Sequence, residues 1–384
     1  MTSQQQQHLG LERLRERRSA KWTHYDDDVL PAWVAEMDLQ LAEPIRAALG
    51  RALEIGDSGY ADADAAGLAQ AFAGFAGRRL GWDVDPAQMI AVPDVVRGLS
   101  AMVSVLTEPG DEVIVTPPVY HPFFTLVSES GRRVREVPMA DGRQLDVDGI
   151  DAAFAADARV LLLCSPHNPA GTIPSREQLE AVADSAARHG AWVLADEIHA
   201  PLTLPGATHV PFLEIGEAAR ERGFGLTSAS KTFNLAGFMC AVVVTASETA
   251  WAELERLPQL ARHPGHFGVI GSVAAFAEPG SEAWLDETIT LLDGNRTLLG
   301  ELLAEQLPEA VYTPPAAGYL GWIDLSAYGL GPDPAPALLE RGRIAVSPGP
   351  QFGTGGDGFI RLNIGTSPEL VREAVARIAK GAGG

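Results

Sequence analysis

Four side chains of complementary chemistry follow strand-like apolar runs in the middle of this sequence. They are Tyr120, Asn168, Asp196 and Lys231, at separations of 48, 28 and 35 residues. An amine forms a Schiff base with an aldehyde, and a carboxylate pairs with a protonated pyridine nitrogen. An amide donates to a phenolate oxygen, and a phenol ring stacks on a flat heterocycle. These are the groups that hold pyridoxal 5′-phosphate (PLP), so the sequence predicts a PLP enzyme.

Each residue has a separate predicted role on that cofactor. Lys231 would form the Schiff base and then act as general base at the substrate Cα. Asp196 would keep the pyridine nitrogen protonated, so that the ring accepts electrons from the substrate. Asn168 would hydrogen-bond the phenolate oxygen with His199 nearby, and Tyr120 would stack on the ring.

The sequence also predicts a site for the phosphate group. Ser228 and Ser230 supply hydroxyl groups just before the lysine. A helix is predicted to start near Asp94, Val95 and Val96, and its free N–H groups and dipole favour an anion.

Apolar runs before these residues predict the strands that position them. The runs are 111–116, 160–164 and 191–195, and the last two are apolar on both faces. Such runs are typical of buried parallel strands. Ligands of parallel sheets bind beyond the carboxyl ends of the strands, so residues that follow strand ends are expected to converge.

A helix is predicted between the second and third of these runs. Ser175 and Gln178 form a possible capping box, and Gly190 suits the position after the last turn. Alternating strands and helices favour an α/β fold with an open, mostly parallel sheet. The length of 384 residues exceeds that of a usual single domain. We expect an N-terminal arm with a part of the small domain and of the substrate entrance (1–45), a large PLP-binding domain (46–280) and a smaller α+β C-terminal domain (281–384).

The composition limits the classes of function. The net charge of −21, from 29 basic and 50 acidic residues, disfavours nucleic acids and anionic membranes. Residues 1–18 lack the apolar core of a signal peptide, and no run reaches the roughly 18 apolar residues of a membrane span. Cys164 and Cys240 cannot build a disulfide framework, and they fit the cytoplasm. Residues 2–7 are expected to be disordered, and the Arg-rich stretch up to Lys21 to form a short helix.

Longer motifs surround the four residues and extend from Lys21 to Arg361. They are LPAWVAEMD at 30–38, SPHNPAG at 165–171, DEIH at 196–199, SASKTFNLAG at 228–237, GYLGW at 318–322 and RLN at 361–363. In these motifs the chain resembles the fold-type-I PLP enzymes, and among them the bacterial C–S lyases of the cystathionine β-lyase and cystalysin type. The DEIH and SKTFNLAG strings are specific to this group among aminotransferase-like folds.

The resemblance implies further site residues. Arg361 would bind the α-carboxylate of the substrate, because a guanidinium group fits a carboxylate with two hydrogen bonds. Trp33, Ala35 and Glu36 would lie near the substrate entrance, and Asn168 would also contact the substrate. The resemblance further implies a homodimer with active sites at the interface, in which Tyr60 reaches the phosphate of the neighbouring subunit.

The chain departs from the family pattern at four positions. Ser165 replaces an Asn, Thr172 replaces an Arg after the asparagine motif, and Asp94 replaces the Gly of the phosphate-binding turn. We expect Asp94 to cap the helix and to turn away from the phosphate. Met239 stands where many aminotransferases carry an Arg, a departure that the lyases share. The other three leave open a sulfur substrate other than cystathionine.

The favoured reaction is α,β-elimination, which cleaves the Cβ–S bond of L-cystathionine or a related cysteine S-conjugate. The products are a thiol, pyruvate and ammonia, and the sequence contains no metal-binding motif of the HExxH or CxxC kind. Transamination uses the same first steps, so an aminotransferase or a specialised biosynthetic C–S lyase remains an alternative. A regulatory binding protein with a PLP fold is a third reading, which the presence of Lys231 and Asp196 disfavours.

Overall fold

A computed structural model describes residues 9–64 and 66–383 of the chain. The strands in these ranges are β1 Leu30–Pro31, β2 Met89–Val92, β3 Glu112–Val115, β4 Arg133–Glu136, β5 Val160–Cys164, β6 Trp192–Asp196, β7 Gly223–Thr227, β8 Ala241–Val244, β9 Val311–Tyr312, β10 Leu320–Asp324, β11 Ile344–Ala345, β12 Ser347–Pro348 and β13 Phe359–Asn363. They form a seven-stranded sheet of order β2-β8-β7-β6-β5-β3-β4, a four-stranded sheet of order β12-β13-β10-β9, and the pair β1-β11.

The seven-stranded sheet is parallel except for β8, which runs antiparallel to both of its neighbours. Its alternating side chains enter two separate cores. In β5, Val160, Leu162 and Cys164 face one apolar cluster, whereas Leu161 and Leu163 face the other. Because both faces of the strand are covered, its sequence is continuously apolar. The predicted mostly parallel α/β sheet is therefore confirmed.

Helices cover both faces of this sheet. The α-helices are α1 Leu11–Leu14, α2 Ala20–Thr23, α3 Glu43–Glu54, α4 Leu68–Leu80, α5 Val95–Leu106, α6 Pro122–Glu129, α7 Val147–Ala155, α8 Arg176–His189, α9 Glu217–Arg222, α10 Ala229–Thr232, α11 Glu248–Leu254, α12 His266–Ala277, α13 Pro279–Gln306, α14 Ala335–Ala337 and α15 Pro368–Ala382. Helices α5, α6 and α11 contribute to one core, and α4, α7, α8 and α12 to the other. The predicted helix is α8, in which Ser175 and Gln178 form the reciprocal capping box and Gly190 adopts φ 66°.

One strand boundary corrects the sequence prediction. The run 191–195 was expected to end before Asp196, but β6 includes Asp196 as its last residue. The reason is pairing on both sides, since Asp196 lies in register with Cys164 of β5 and Leu226 of β7. The first run is a strand only over Glu112–Val115.

The four-stranded sheet is antiparallel and belongs to the C-terminal part of the chain. The N-terminal segment packs against this part, because β1 pairs with β11 and the backbone N–H of Asn363 donates to Ala32 O over 2.9 Å. The domain limits at 45 and 280 stay predictions, and α13 begins just before the second of them. Segment 2–7 lies outside the described residues, and the Arg-rich stretch after it contains α1 and α2. Within residues 9–64 and 66–383, no helix is long and apolar enough to cross a bilayer.

Candidate active site

The carboxyl ends of β3, β5, β6 and β7 meet at a cavity of about 540 Å³. The predicted site residues that line it are Trp33, Ala35, Val95, Val96, Tyr120, Asn168, Asp196, His199, Ser228, Ser230, Lys231 and Arg361. Tyr60 does not line it, and its side chain is fully exposed, with a relative accessibility of 103%. The structure thus brings together the predicted site residues other than Tyr60, which was assigned to a neighbouring subunit, and Glu36, whose carboxylate accepts from Ser19 Oγ over 2.7 Å outside the lining.

Lys231 lies in α10, just after β7, and its side chain lines the cavity. Its Nζ donates to the backbone oxygen of Ala35 over 2.9 Å. Burial, reinforced by the charge of Arg361, lowers the pKa of Lys231 to about 8, and Asp196 opposes that shift. An amine with this pKa is partly neutral near neutral pH, so it can act as nucleophile and as base.

Asp196 presents a buried carboxylate to the same cavity. Burial raises the pKa of Asp196 to about 7, although the amide of Ile198 and the charge of Lys231 oppose the shift. The Ile198 N–H donates to Asp196 Oδ1 over 3.2 Å. A protonated ring nitrogen placed against this carboxylate would stabilise its charged form. The site therefore fits the pyridine end of PLP.

Two helix starts also line the cavity. Ser228 caps α10, where its hydroxyl accepts from Ser230 N over 3.0 Å and donates to Cys240 O over 2.5 Å. Asp94 caps α5 by accepting from Arg97 N over 2.8 Å, which confirms the predicted cap, but the residue also lines the cavity and its predicted turn away from the phosphate stays a prediction. The first turn of a helix has N–H groups without intrahelical partners, so the start of α5 suits a phosphate.

Arg361 extends from β13 of the four-stranded sheet into the cavity. Its Nη1 donates to Asn168 Oδ1 over 3.0 Å, and its Nη2 donates to Trp33 O and Ser347 Oγ, each over 3.0 Å. The Nε atom is buried and has no hydrogen-bond partner among the described residues. Burial lowers the pKa of Arg361 to about 10, so the group is still a cation at neutral pH. A buried cation with an unused donor is suited to bind a carboxylate.

His199 and Tyr120 are uncharged in this environment. Burial, with the charges of Lys231 and Arg361, lowers the pKa of His199 to about 3, and its Nδ1 has no partner among the described residues. Burial next to Asp196 raises the pKa of Tyr120 to about 12. A neutral imidazole can donate to a phenolate oxygen, and a neutral phenol can stack on a heterocycle.

Sequence reasoning missed several residues of the cavity wall. Tyr25, His121, Ser347 and Gln351 also line it. His121 directly follows Tyr120, and that position was a usable signal. Ser347 lies in the two-residue strand β12 and Gln351 in a four-residue 3-10 helix, and elements this short show no periodic pattern in the sequence.

Comparisons with known proteins agree with this site. The family model for aminotransferase class I and II matches residues 24–378. The chain is 37% identical over 370 residues to the cystathionine β-lyase of Corynebacterium glutamicum, covering 96% of this chain and 98% of that protein. A candidate PLP-dependent β-cystathionase from Corynebacterium diphtheriae has a TM-score of 0.93 and 34% identity, with 99% of each chain covered. Cystalysin from Treponema denticola, whose crystal structure contains PLP, has a TM-score of 0.89 and 26% identity, with 96% of each chain covered. The chain therefore belongs to the aminotransferase class I and II family and has the fold-type-I architecture of its PLP-dependent members.

Proposed function

We propose that this chain is a PLP-dependent carbon–sulfur β-lyase acting on L-cystathionine or a related cysteine S-conjugate. It cleaves the Cβ–S bond and yields a thiol, pyruvate and ammonia. The names of the three relatives above, a cystathionine β-lyase, a β-cystathionase and cystalysin, support this choice of reaction.

The distribution of charge in the cavity is the observation that carries the proposal. Arg361 is the one guanidinium in the described lining, and it suits the α-carboxylate of an amino acid. The wall beyond it includes Tyr25 and Trp33, together with His121, which burial keeps neutral by lowering its pKa to about 4. A transaminase for acidic substrates needs a second cation for the distal carboxylate. The described lining has no second guanidinium, which disfavours an aminotransferase for acidic substrates.

The residues around the cavity divide the work of elimination. Arg361 holds the substrate carboxylate, and this contact orients the Cα–H bond towards Lys231. The neutral amine of Lys231 accepts the Cα proton. PLP, when bound, supplies an acceptor for the electrons left at Cα. A thiolate leaves readily, so orientation and proton removal are the main tasks of the protein.

We also propose a homodimer in the cytoplasm, in which Tyr60 of one subunit reaches the phosphate site of the other. Leu53 and Ile55 are, like Tyr60, exposed apolar side chains, and burial against a second copy would remove them from water. The free cysteines Cys164 and Cys240 fit a reducing compartment. Light scattering tests the dimer. Mixed dimers of Lys231→Ala and Tyr60→Ala chains should regain part of the activity that each variant lacks.

The test of the reaction is a pyruvate assay with PLP and L-cystathionine and no added keto acid. Pyruvate formed by the wild-type chain and absent with Lys231→Ala is the expected result. Aminotransferases share the fold and the proton removal, so they are the second candidate. Glutamate formed only when 2-oxoglutarate is supplied with an amino-acid donor, without pyruvate from cystathionine, would replace the lyase by that candidate.

A further inference from the structure

Side chains from distant parts of the chain hold the backbone of the segment 33–37, here called the entrance segment. Every backbone carbonyl in this segment accepts a hydrogen bond from at least one side chain. The donors are Arg361 and Ser347 on Trp33 O, Asn363 on Val34 O and Glu36 O, Lys21 on Glu36 O, Lys231 and Tyr319 on Ala35 O, and Asn234 and Arg17 on Met37 O. The entrance segment is therefore a row of fixed acceptors, and its first three residues line the cavity.

Ala35 O is the acceptor that contacts the lysine of the site. Lys231 Nζ donates to it over 2.9 Å, and Tyr319 Oη donates to it over 3.0 Å. A carbonyl oxygen has two lone pairs, so these two donors saturate it. Tyr319 is 1% exposed and lies just before β10. Its ring and that of His199 pack edge to face, with 5.9 Å between the ring centroids. Its hydroxyl is thus held in place independently of the lysine.

We propose that Tyr319 is a positioning residue for Lys231, which it orients through the shared carbonyl of Ala35. The proposal rests on the proposed function only in giving Lys231 the role of base. An amine that donates one N–H to a fixed oxygen has its lone pair directed elsewhere, and here the cavity is the open side. The hydrogen bond from the tyrosine hydroxyl also makes that oxygen a weaker acceptor, and this weakens the bond from an ammonium group more than the bond from a neutral amine.

The chain contains a matched control for this hydroxyl group. Tyr312 lies in β9, which pairs with β10, and its Oη donates to the backbone oxygen of Arg296 over 3.2 Å. It does not line the cavity. Tyr312→Phe and Tyr319→Phe therefore delete the same group, bonded to the same kind of acceptor, within or directly next to strands of the same sheet.

The sequence has only three lysines, Lys21, Lys231 and Lys380, which makes the amine directly measurable. The full chain, before PLP is added, is acetylated in competition with a reference amine from about pH 6 to 10, and each lysine is quantified by peptide mass spectrometry. In Tyr319→Phe the titration midpoint of Lys231 should rise by about half a unit, which is about twofold less labelling near pH 8 and about threefold less near pH 7. Lys380 should be unchanged, and Tyr312→Phe should match wild type at all three lysines.

A kinetic comparison on the PLP-loaded enzyme completes the test. Tyr319→Phe should lower kcat about tenfold with KM changed less than about twofold, because orientation of the base acts in the transition state. An unchanged Lys231 titration, an equal effect of Tyr312→Phe, or a Tyr319→Phe chain that does not fold would overturn the proposal. If the Lys231 titration shifts while the wild-type enzyme forms no pyruvate, the lyase assignment fails and the positioning role stands.

Discussion

Arg361 Nη1 donates to Asn168 Oδ1 over 3.0 Å, and this bond joins β13 of the small sheet to the loop after β5 of the large sheet. Both side chains are buried. Asn168, the candidate donor to the cofactor, therefore orients Arg361, the candidate anchor for the substrate carboxylate. A substitution of Asn168 should therefore also alter substrate binding, and a substitution of Arg361 should also alter cofactor binding.

The first prediction concerns the shape of this cation. Arg361→Lys preserves the charge but loses the planar fork that bonds Asn168, Ser347 and a carboxylate at once. We expect KM for L-cystathionine to rise about 100-fold, with a smaller loss in kcat, in steady-state pyruvate assays. Arg133→Lys, on the exposed edge strand β4, is the matched control and should behave as wild type. An unchanged KM in Arg361→Lys would remove Arg361 from substrate binding.

Residues of the large sheet were predictable because their local signals are strong. The apolar run before Asn168 is buried on both faces, and such a run has few alternatives to a central parallel strand. Residues next to the ends of neighbouring parallel strands converge by geometry, so Asn168, Asp196 and Lys231 could be placed together before any coordinates.

Residues of the small sheet were not predictable in this way. Strand β12, which contributes Ser347, has only two residues, and a period of two cannot be recognised over that length. Arg361 was found only through the resemblance of its motif. The contact between Tyr319 and Ala35 joins residues 284 positions apart, and no local pattern encodes it.

The second prediction concerns the acidic cap of α5. Asp94→Asn preserves an oxygen that can accept from Arg97 N, but it removes a negative charge from the cavity lining. The affinity for PLP should therefore increase, with Kd about three- to tenfold lower in a fluorescence titration. Asp146→Asn is the control, because Asp146 caps α7 in the same manner by accepting from Gly149 N. Equal or weaker binding by Asp94→Asn would show that the Asp94 charge does not act on the phosphate.

The third prediction concerns a buried ion pair next to the entrance segment, whose Glu36 O accepts from the same lysine, Lys21. Lys21 Nζ lies 2.7 Å from Asp38 Oδ1, and the side chains are 1% and 4% exposed. Asp38→Asn leaves the ammonium group buried without a counter-charge, and it should lower the free energy of unfolding by about 3–5 kcal/mol in urea titrations. The double variant Lys21→Met/Asp38→Leu should be less destabilised than Asp38→Asn. As a control, Glu180→Gln breaks an exposed pair with Arg176 and should have a much smaller effect.

The last prediction follows from the raised pKa of Asp196, about 7 in the folded chain against an ordinary value of 3.8. Between these values the folded state binds a proton that the unfolded state has lost, so the free energy of unfolding should decrease as pH rises through this window. Asp196→Asn has no such proton. Both chains are measured before PLP is added. As the pH rises from about 4 to about 7.5, the free energy of unfolding of the variant should therefore increase by about 2–4 kcal/mol relative to that of wild type.

Urea midpoints across this pH range measure the difference between the two chains. Titrating groups remote from Asp196 cancel because both chains share them, and the coupling to Lys231 acts mainly at the upper end of the range. Asp184→Asn, an exposed position on α8, is the control and should differ from wild type by the same amount at each pH. Lys231 acts outside this window, since its lowered pKa makes the stability rise with pH only between about 8 and its ordinary value of 10.5. A difference between wild type and Asp196→Asn that is flat from pH 4 to 7.5 would show that the folded chain does not raise the pKa of Asp196.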